Sequence, residues 1–241
     1  MRQHFHWTGL DAADRGESIA LGNFDGVHLG HRSGIDLARR SGTPMGVVTF
    51  EPHPRQFFAP DAPAFRLMNS ETRANRLEKI GVGQLYTLPF DARIAGMSAE
   101  AFAADVLTAG LGVSHVTVGA DFRFGKGRAG SSETLTDLGN ALGFGVTVAP
   151  LLAFEGVEVS STAIRTALAE GRPRDAARML GHWHRIDGEV LDGDKRGREL
   201  GYPTANMSIE GLHLPRLGIY AVLVDVLTGP FRGTYHGAAS L

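Results

Sequence analysis

Short runs of apolar residues alternate with amphipathic segments through the first 150 residues of the chain. This pattern predicts five strands, over 18–21, 46–50, 84–88, 115–118 and 145–149. It predicts four helices between them, over 29–40, 71–80, 98–109 and 132–142. Strands and helices that alternate at this spacing are typical of an α/β domain with a doubly wound parallel sheet, in which helices cover both faces.

The pattern changes after about residue 160. Two short helices are predicted over 162–170 and 174–180, and from Ile186 onward only β-type runs remain. We therefore place a domain boundary near Gly181, with an α/β domain over 1–181 and a β domain over 182–241. Sixty residues are few for an independent core, and the last strands would leave an unpaired edge.

Composition narrows the range of functions. The 241 residues include 24 Lys and Arg against 26 Asp and Glu, for a formal charge of −2, which argues against generic binding to nucleic acid. The absence of cysteine excludes disulfides, thiolate zinc sites and a cysteine nucleophile. The sequence shows neither a secretory signal nor an apolar run long enough to span a bilayer, so we expect a cytoplasmic protein with no membrane partner.

The most informative segment is GNFDGVHLGH at 22–31, which joins the first predicted strand to the first helix. Its glycines let the backbone approach a ligand, and a helix N-terminus favours a bound phosphate. His28 and His31 are three residues apart, so they would share one helix face and could donate hydrogen bonds to a triphosphate. A two-histidine metal site and a purely structural pair are the alternatives, although no helical carboxylate accompanies the histidines at ligand spacing.

The motif His28-Leu29-Gly30-His31 resembles the HxGH signature of nucleotidylyltransferases. The longer GNFDGVHLGHR is similar to the N-terminal adenylyltransferase domain of the bacterial bifunctional riboflavin kinase/FAD synthetases. The resemblance implies a Rossmann-like fold, and it implies that His28 and His31 bind the ATP phosphates and stabilise the transition state of adenylyl transfer. It also implies ATP contacts for neighbouring residues of the segment, namely Gly22, Asn23, Phe24, Asp25 and Gly30.

Three further segments resemble the same family in the same order: FEPHPRQFF at 50–58, GADFRFGKGRAG at 119–130 and VSSTAIR at 159–165. Arg165 lies three residues after Thr162, and its planar guanidinium suits bidentate contact with phosphate. The resemblance implies that Arg165 assists catalysis and that Asp121, Ser161 and Thr162 contact ATP. It implies a flavin pocket formed by Pro52, Pro54, Phe58, Phe122, Arg123 and Phe124.

The glycines of the third segment also satisfy a different pattern. Gly125, Gly127 and Gly130 match GxGxxG, the dinucleotide fingerprint, which requires its first glycine at the tip of a strand. The preceding strand is predicted to end near Val118 and the next helix to begin near Ser132. We therefore reject a Rossmann-type dehydrogenase.

The segment GEVLDGDKRGRELGYPTANM at 188–207 resembles the riboflavin kinase domain of the same family, a small β-barrel. The resemblance implies nucleotide binding by Gly193, Lys195, Arg196, Gly197 and Pro203, and Mg²⁺ ligation by Thr204 and Asn206. The sequence ends after FRGTYHGAASL, before the glutamate that serves the family as the base for riboflavin. We therefore expect a truncated or degenerate β-barrel and no riboflavin kinase activity from these 241 residues.

The resemblance thus implies an FAD synthetase that converts ATP and FMN to FAD and pyrophosphate. Mg²⁺ is expected to arrive bound to ATP. Riboflavin is the implied substrate of the kinase domain. Two alternatives stay open. One is an adenylyltransferase of the same superfamily that acts on a pantetheine or nicotinate nucleotide. The other is a non-catalytic sensor that binds flavin or nucleotide without turnover.

Overall fold

The computed structural model describes residues 1–154, 156–191 and 204–241. Its main sheet has six strands: β1 Arg2–His4, β2 Ser18–Leu21, β3 Met45–Glu51, β4 Gln84–Pro89, β5 His115–Gly119 and β6 Gly145–Ala149. Their order is β1-β4-β3-β2-β5-β6, and every pairing is parallel. The predicted doubly wound sheet is confirmed. The edge strand β1, which has three residues and no apolar run, was not predicted.

Eight α-helices belong to this part of the chain: α1 Leu29–Leu37, α2 Pro54–Phe58, α3 Ser70–Lys79, α4 Ala92–Gly96, α5 Ala99–Ala101, α6 Ser132–Leu142, α7 Ser161–Ala169 and α8 Pro173–Leu180. A π-helical stretch, Phe102–Gly110, continues α5. Asn69, Ser98, Ser131 and Ser160 cap four of the helices by accepting a hydrogen bond from a first-turn amide.

Most boundaries differ from the prediction by at most a single residue, and two segments differ by more. Helix α1 ends at Leu37, three residues earlier than expected. The segment after β3, where no helix was predicted, contains the short helix α2. Pro54 occupies the first turn of α2, and His53 and Gln56 form a capping box around its start, so the proline begins a helix here.

Side chains of the strands alternate between two helical layers. Ile19 and Val48 face the layer that contains the π-helical stretch, where they pack with Phe102. Ala20 and Val47 face the opposite side and pack with residues of α1 and α3 such as Ile35. Because successive residues of a strand point to opposite faces, both faces of the sheet are buried, as a parallel sheet requires.

A third apolar cluster joins α7 and α8 to the segment that precedes α3. Leu67 packs there with Ile164 and Leu168 of α7 and with Leu180 of α8. Helix α8 ends at Leu180, where Gly181 adopts a left-handed conformation. This cluster fixes α7 beside residues 65–67, a placement on which the candidate site depends.

The described residues beyond Gly181 are β-rich, in line with the sequence pattern. Val190–Leu191 pairs with Asn206–Met207, and two longer strands, β7 Ile219–Val226 and β8 Gly233–Ser240, form an antiparallel hairpin. Within the described ranges, no helix combines the length and apolar character needed to cross a membrane.

Candidate active site

The segments singled out by their sequence follow the carboxyl ends of neighbouring strands. Residues 22–31 follow β2, and Asp121 follows β5, the strand beside β2. The chain adds β3 on one side of β2 and β5 on the other, so the topology switches between β2 and β5. Ligands of doubly wound sheets bind at the carboxyl end of such a switch point, which is where residues 22–31 lie.

The loop from β2 to α1 has an unusual backbone. Phe24 and Val27 have φ values of 51° and 42°, in the left-handed region that a β-branched residue such as Val27 strongly disfavours. Gly26 between them has a φ of 90°, and a Cβ there would lie 2.8 Å from the Leu67 side chain. The surrounding contacts therefore hold this loop in a strained conformation, as often happens at functional sites.

The two histidines of the loop stack on each other, with ring centroids 3.6 Å apart and planes inclined by 17°. His28 caps α1, because its Nδ1 accepts the backbone N–H of His31 at 3.2 Å. With Nδ1 acting as acceptor, the neutral His28 ring carries its proton on Nε2. Gly30 makes room for this arrangement, since a Cβ there would lie 3.2 Å from the His28 ring.

Both imidazoles are neutral near pH 7. Burial, with a contribution from the positive charge of Arg165, lowers the pKa of His28 to about 4. Burial and the neighbouring His28 hold the pKa of His31 well below its usual range. Nδ1 of His31 is buried and has no hydrogen-bond partner in the described part of the chain. The pair can therefore offer neutral N–H donors to a ligand.

A buried ion pair joins the loop to α7. Asp25, 2% exposed, accepts a hydrogen bond of 2.6 Å from Nη2 of Arg165, 140 positions away in sequence. Arg165 also donates from Nε to the carbonyl oxygen of Phe65 at 2.6 Å. Ser161 strengthens the junction, because its hydroxyl donates to the backbone oxygen of Asp25 at 2.8 Å. The motifs at 22–31 and 159–165 are thus in direct contact.

A second ionic group, which was not predicted from the sequence, lies beside the first. Glu51 pairs with Arg66 and Arg73, each at 3.0 Å, and both arginines are buried. Burial alone would raise the pKa of Glu51, but the two guanidinium groups outweigh it and lower that pKa. Arg66 also lies 3.9 Å from Asp25, so the two groups are continuous. The available signal in the sequence was Arg66, a charged residue between the apolar residues Phe65 and Leu67, which indicates a buried charge.

Aromatic side chains surround the segment after β3. Phe57 and Phe58 of α2 both contact Phe90 edge to face, with ring centroids 5.5 and 5.8 Å apart. Phe58 is 67% exposed. Pro52 is exposed as well, and Pro54 is partly buried at the start of α2. This part of the site offers flat apolar surface at the protein boundary.

The segment after β5 divides its side chains between core and surface. Phe124 is buried against Phe102, with centroids 5.9 Å apart, so its ring belongs to the core. Phe122 stacks on Phe124 and is partly exposed, whereas Asp121 and Arg123 are exposed. The structure does not bring these side chains into contact with the histidine pair.

The remaining predicted site residues have the following positions. Gly22 and Asn23 are partly buried, Phe24 is buried in the core, and Thr162 is exposed in the first turn of α7. Gly125 and Gly130 belong to a tight loop closed by pairing of Arg123–Phe124 with Gly130–Ser131, not to a turn from strand to helix. This geometry is unlike that of a dinucleotide fingerprint.

Only two residues predicted for the kinase domain can be located. Thr204 and Asn206 are exposed, and Asn206 begins a short paired strand. Gly193, Lys195, Arg196, Gly197 and Pro203 lie outside the described residues.

Comparisons with known proteins identify relatives that match most of the chain. A family model described as FAD synthetase matches residues 10–163, and one described as riboflavin kinase matches residues 180–241. The bifunctional riboflavin kinase/FMN adenylyltransferase of Pseudomonas fluorescens is 41% identical over 216 residues, which cover 88% of this chain and 69% of the relative. That of Escherichia coli K12 is 39% identical over 217 residues, with the same coverage. A crystal structure titled macrolide-efflux protein, from Streptococcus pneumoniae, is 28% identical with a TM-score of 0.83, over 99% of this chain and 78% of that one.

The glycine in the strained loop gives a first prediction. Gly26→Ala combines an unfavourable φ with an overlap against Leu67, whereas Gly42→Ala has a φ of 75° and nothing within 4 Å. We expect Gly42→Ala to lower the free energy of unfolding by about 1 kcal/mol. Gly26→Ala should lower it by about 1–3 kcal/mol more, because the loop must also shift. Urea unfolding measures both, and equal losses would mean that the contact with Leu67 imposes no constraint.

Neutral buried histidines make stability depend on pH. As the pH falls below about 6.5, unfolded histidines gain a proton that the folded protein excludes, so the free energy of unfolding decreases toward pH 4. For His28, whose folded pKa is about 4, the loss between pH 7.5 and 5.0 is about 2 kcal/mol. Urea unfolding of His28→Asn should show a pH dependence reduced by that amount. His236→Asn, which replaces an exposed histidine, is the matched control; a wild-type pH dependence in His28→Asn would disprove the assignment.

Proposed function

The chain belongs to the family of bifunctional riboflavin kinase/FMN adenylyltransferases, and on this premise we propose that its α/β domain transfers the adenylyl group of ATP to FMN, giving FAD and pyrophosphate. The observation that carries the proposal is the Asp25–Arg165 ion pair. This pair brings a partly exposed cation of α7 to the loop that holds the stacked histidines. A cation and two neutral N–H donors at the N-terminus of α1 form a suitable environment for a triphosphate.

The triphosphate is proposed to lie over the start of α1. Nε2–H of His28 and the ring of His31 donate to its oxygens, and the helix dipole favours its negative charge. Arg165 uses Nε and one N–H of Nη2 within the protein. Its remaining guanidinium N–H groups are left to contact phosphate oxygens.

The chemical step is an in-line displacement. An oxygen of the FMN phosphate forms a bond to the α-phosphorus of ATP, and the bond from that phosphorus to the oxygen bridging to the β-phosphate breaks. Negative charge then accumulates on the leaving pyrophosphate. The attacking phosphate is already ionised, so no general base is needed, and neutral histidines serve as hydrogen-bond donors that stabilise the developing charge.

The isoalloxazine ring of FMN is proposed to rest on the exposed aromatic surface. Phe58 and Phe122 offer ring faces, Pro52 stiffens the rim, and Arg123 is exposed beside them. Phe124 is proposed to act indirectly, because its buried ring stacks on that of Phe122 and fixes its orientation. Asp121, Ser161 and Thr162 remain proposed ATP contacts.

Mg²⁺ is proposed to arrive on ATP, where it neutralises phosphate charge. The described residues contain no group of three or more His, Asp or Glu side chains placed to hold a metal ion. In the kinase domain, the exposed hydroxyl of Thr204 and the amide oxygen of Asn206 are donors of the kind that Mg²⁺ prefers. The match over residues 180–241 supports riboflavin phosphorylation as the reaction to which that domain belongs.

The direct test is conversion of FMN to FAD by the purified chain with ATP and Mg²⁺, followed by flavin chromatography. His31→Ala should lower kcat/KM at least about tenfold, because it removes a donor that stabilises the transition state, a loss of about 1.4 kcal/mol. FMN that binds without yielding FAD would support the sensor alternative. Turnover of a pantetheine or nicotinate nucleotide in place of FMN would support the other alternative, an adenylyltransferase of the same superfamily with a different substrate.

The buried carboxylate gives a separate prediction. Asp25 is only 2% exposed. Asp25→Asn removes its negative charge and leaves Arg165 without a charged partner. We expect kcat/KM for FAD formation to fall about tenfold or more, since loss of one member of a buried pair also leaves the other misplaced. Asp36→Asn, at an exposed position of α1, is the matched control and should retain wild-type kinetics. Equal kinetics in the two variants would remove Asp25 from the proposed mechanism.

A further inference from the structure

A short segment of the C-terminal domain reaches back to the candidate active site. We call residues 209–216 the clasp. The backbone N–H of His213 donates to the carbonyl oxygen of Arg66 at 2.8 Å, and Leu212 before it is 9% exposed. The backbone N–H of Arg216 donates to the carbonyl oxygen of Leu168, near the end of α7, at 2.9 Å. The clasp therefore lies against both the 65–67 segment and α7.

His213 is the residue of the clasp that contacts both. Its Nε2 lies 3.0 Å from the carbonyl oxygen of Arg165. A carbonyl oxygen only accepts, so Nε2 carries the proton of this hydrogen bond. Through its backbone and its ring, His213 thus holds the main chain of Arg66 and of Arg165. The side chains of these two arginines converge on the carboxylate of Asp25.

Helix α7 is fixed along its length by these contacts. Ser161 anchors its first turn to the Asp25 backbone, His213 binds the middle, and Arg216 binds near the end. The guanidinium of Arg165 has to reach both Asp25 and a phosphate, so a small rotation or slide of α7 would displace it. Misplacement of a catalytic group by about 1 Å can cost a large factor in rate.

The clasp is not the only connection between the domains. Thr72 donates to Asp187 at 2.5 Å, and His182 lies 3.1 Å from the carbonyl oxygen of Gly26. These contacts are made by the first residues of the C-terminal domain, 182 and 187, and do not involve α7. Loss of the His213 side chain would therefore leave the domains tethered and act on α7 selectively.

We propose that His213 is a positioning residue for adenylyl transfer: the C-terminal domain, through the clasp, sets the position of Arg165 against Asp25. The proposal rests on the proposed function, and it makes the rate of the first domain depend on a residue of the second. His213 does not touch the reacting atoms and acts through the backbone of Arg165.

The test is a double-mutant cycle between His213→Leu and Arg165→Lys, read as kcat and KM for FAD formation by the full chain. We expect His213→Leu to lower kcat about five- to tenfold with little change in KM for FMN. In the background of Arg165→Lys, the same substitution should lower kcat less than twofold, because the group it positions is already altered. Losses that multiply independently would overturn the proposal.

Three further variants separate positioning from folding. His213→Gln keeps an N–H donor at similar reach and should remain within about twofold of wild type, whereas His213→Asn is one methylene shorter and should behave like His213→Leu. If His213→Leu fails to fold, kcat of His213→Gln is compared with kcat of His213→Asn instead. Equal kinetics in these two variants would overturn the proposal. His236→Leu, at an exposed position of β8, is the matched control and should have wild-type kcat.

Titration calorimetry of ATP binding on the same proteins distinguishes this proposal from the proposed function. If the wild-type chain forms no FAD, the proposed function fails, and the cycle is read in ATP affinity instead. Coupling between His213 and Arg165 in ATP affinity would then support the clasp, and additive effects would overturn it.

Discussion

The buried charge of Asp25 is the constraint around which the site is organised. A carboxylate removed from water is strongly destabilising unless a cation and hydrogen bonds compensate it, and loss of one partner in such pairs costs about 3–5 kcal/mol. Arg165 and the backbone N–H of Leu67 supply that compensation. Three segments that are far apart in sequence must therefore meet at one point for the chain to fold. They are the loop after β2, residues 65–67 before α3, and helix α7. The same meeting point carries the proposed chemistry.

Burial keeps the two histidines neutral, and the positive charge of Arg165 acts in the same direction on the pKa of His28. Arg66, Arg73 and Arg165 face two carboxylates, those of Asp25 and Glu51, so the local sum is positive. A protonated imidazole would add another positive charge in a poorly hydrated place. The phosphates of the proposed substrates would offset this positive charge, so the site favours polyanions over neutral ligands.

Local patterns predicted most of the sheet and the existence of the site, and long-range contacts account for what they missed. Short apolar runs mark β2 to β6, of which β2 to β5 lie inside the sheet and are buried on both faces, whereas β1 has no apolar run and lies at the edge, paired with β4. The four motifs indicated the carboxyl end of the sheet. No local signal revealed that Arg66 and Arg73 share Glu51, or that His213 reaches Arg165, because these partners come from distant segments. The individual roles of the site residues stay predictions.

The left-handed backbone of Phe24 and Val27 also has a consequence for protein engineering. Glycine adopts such φ values without steric cost, so replacing Val27 by glycine would relieve the folded state locally. It would also free the loop from the one conformation that stacks His28 on His31. Phe24 and Val27 are both buried, so glycine at either position would also remove core packing. Stability and catalysis therefore both select against glycine there, and the strained loop can change only together with the packing that surrounds it.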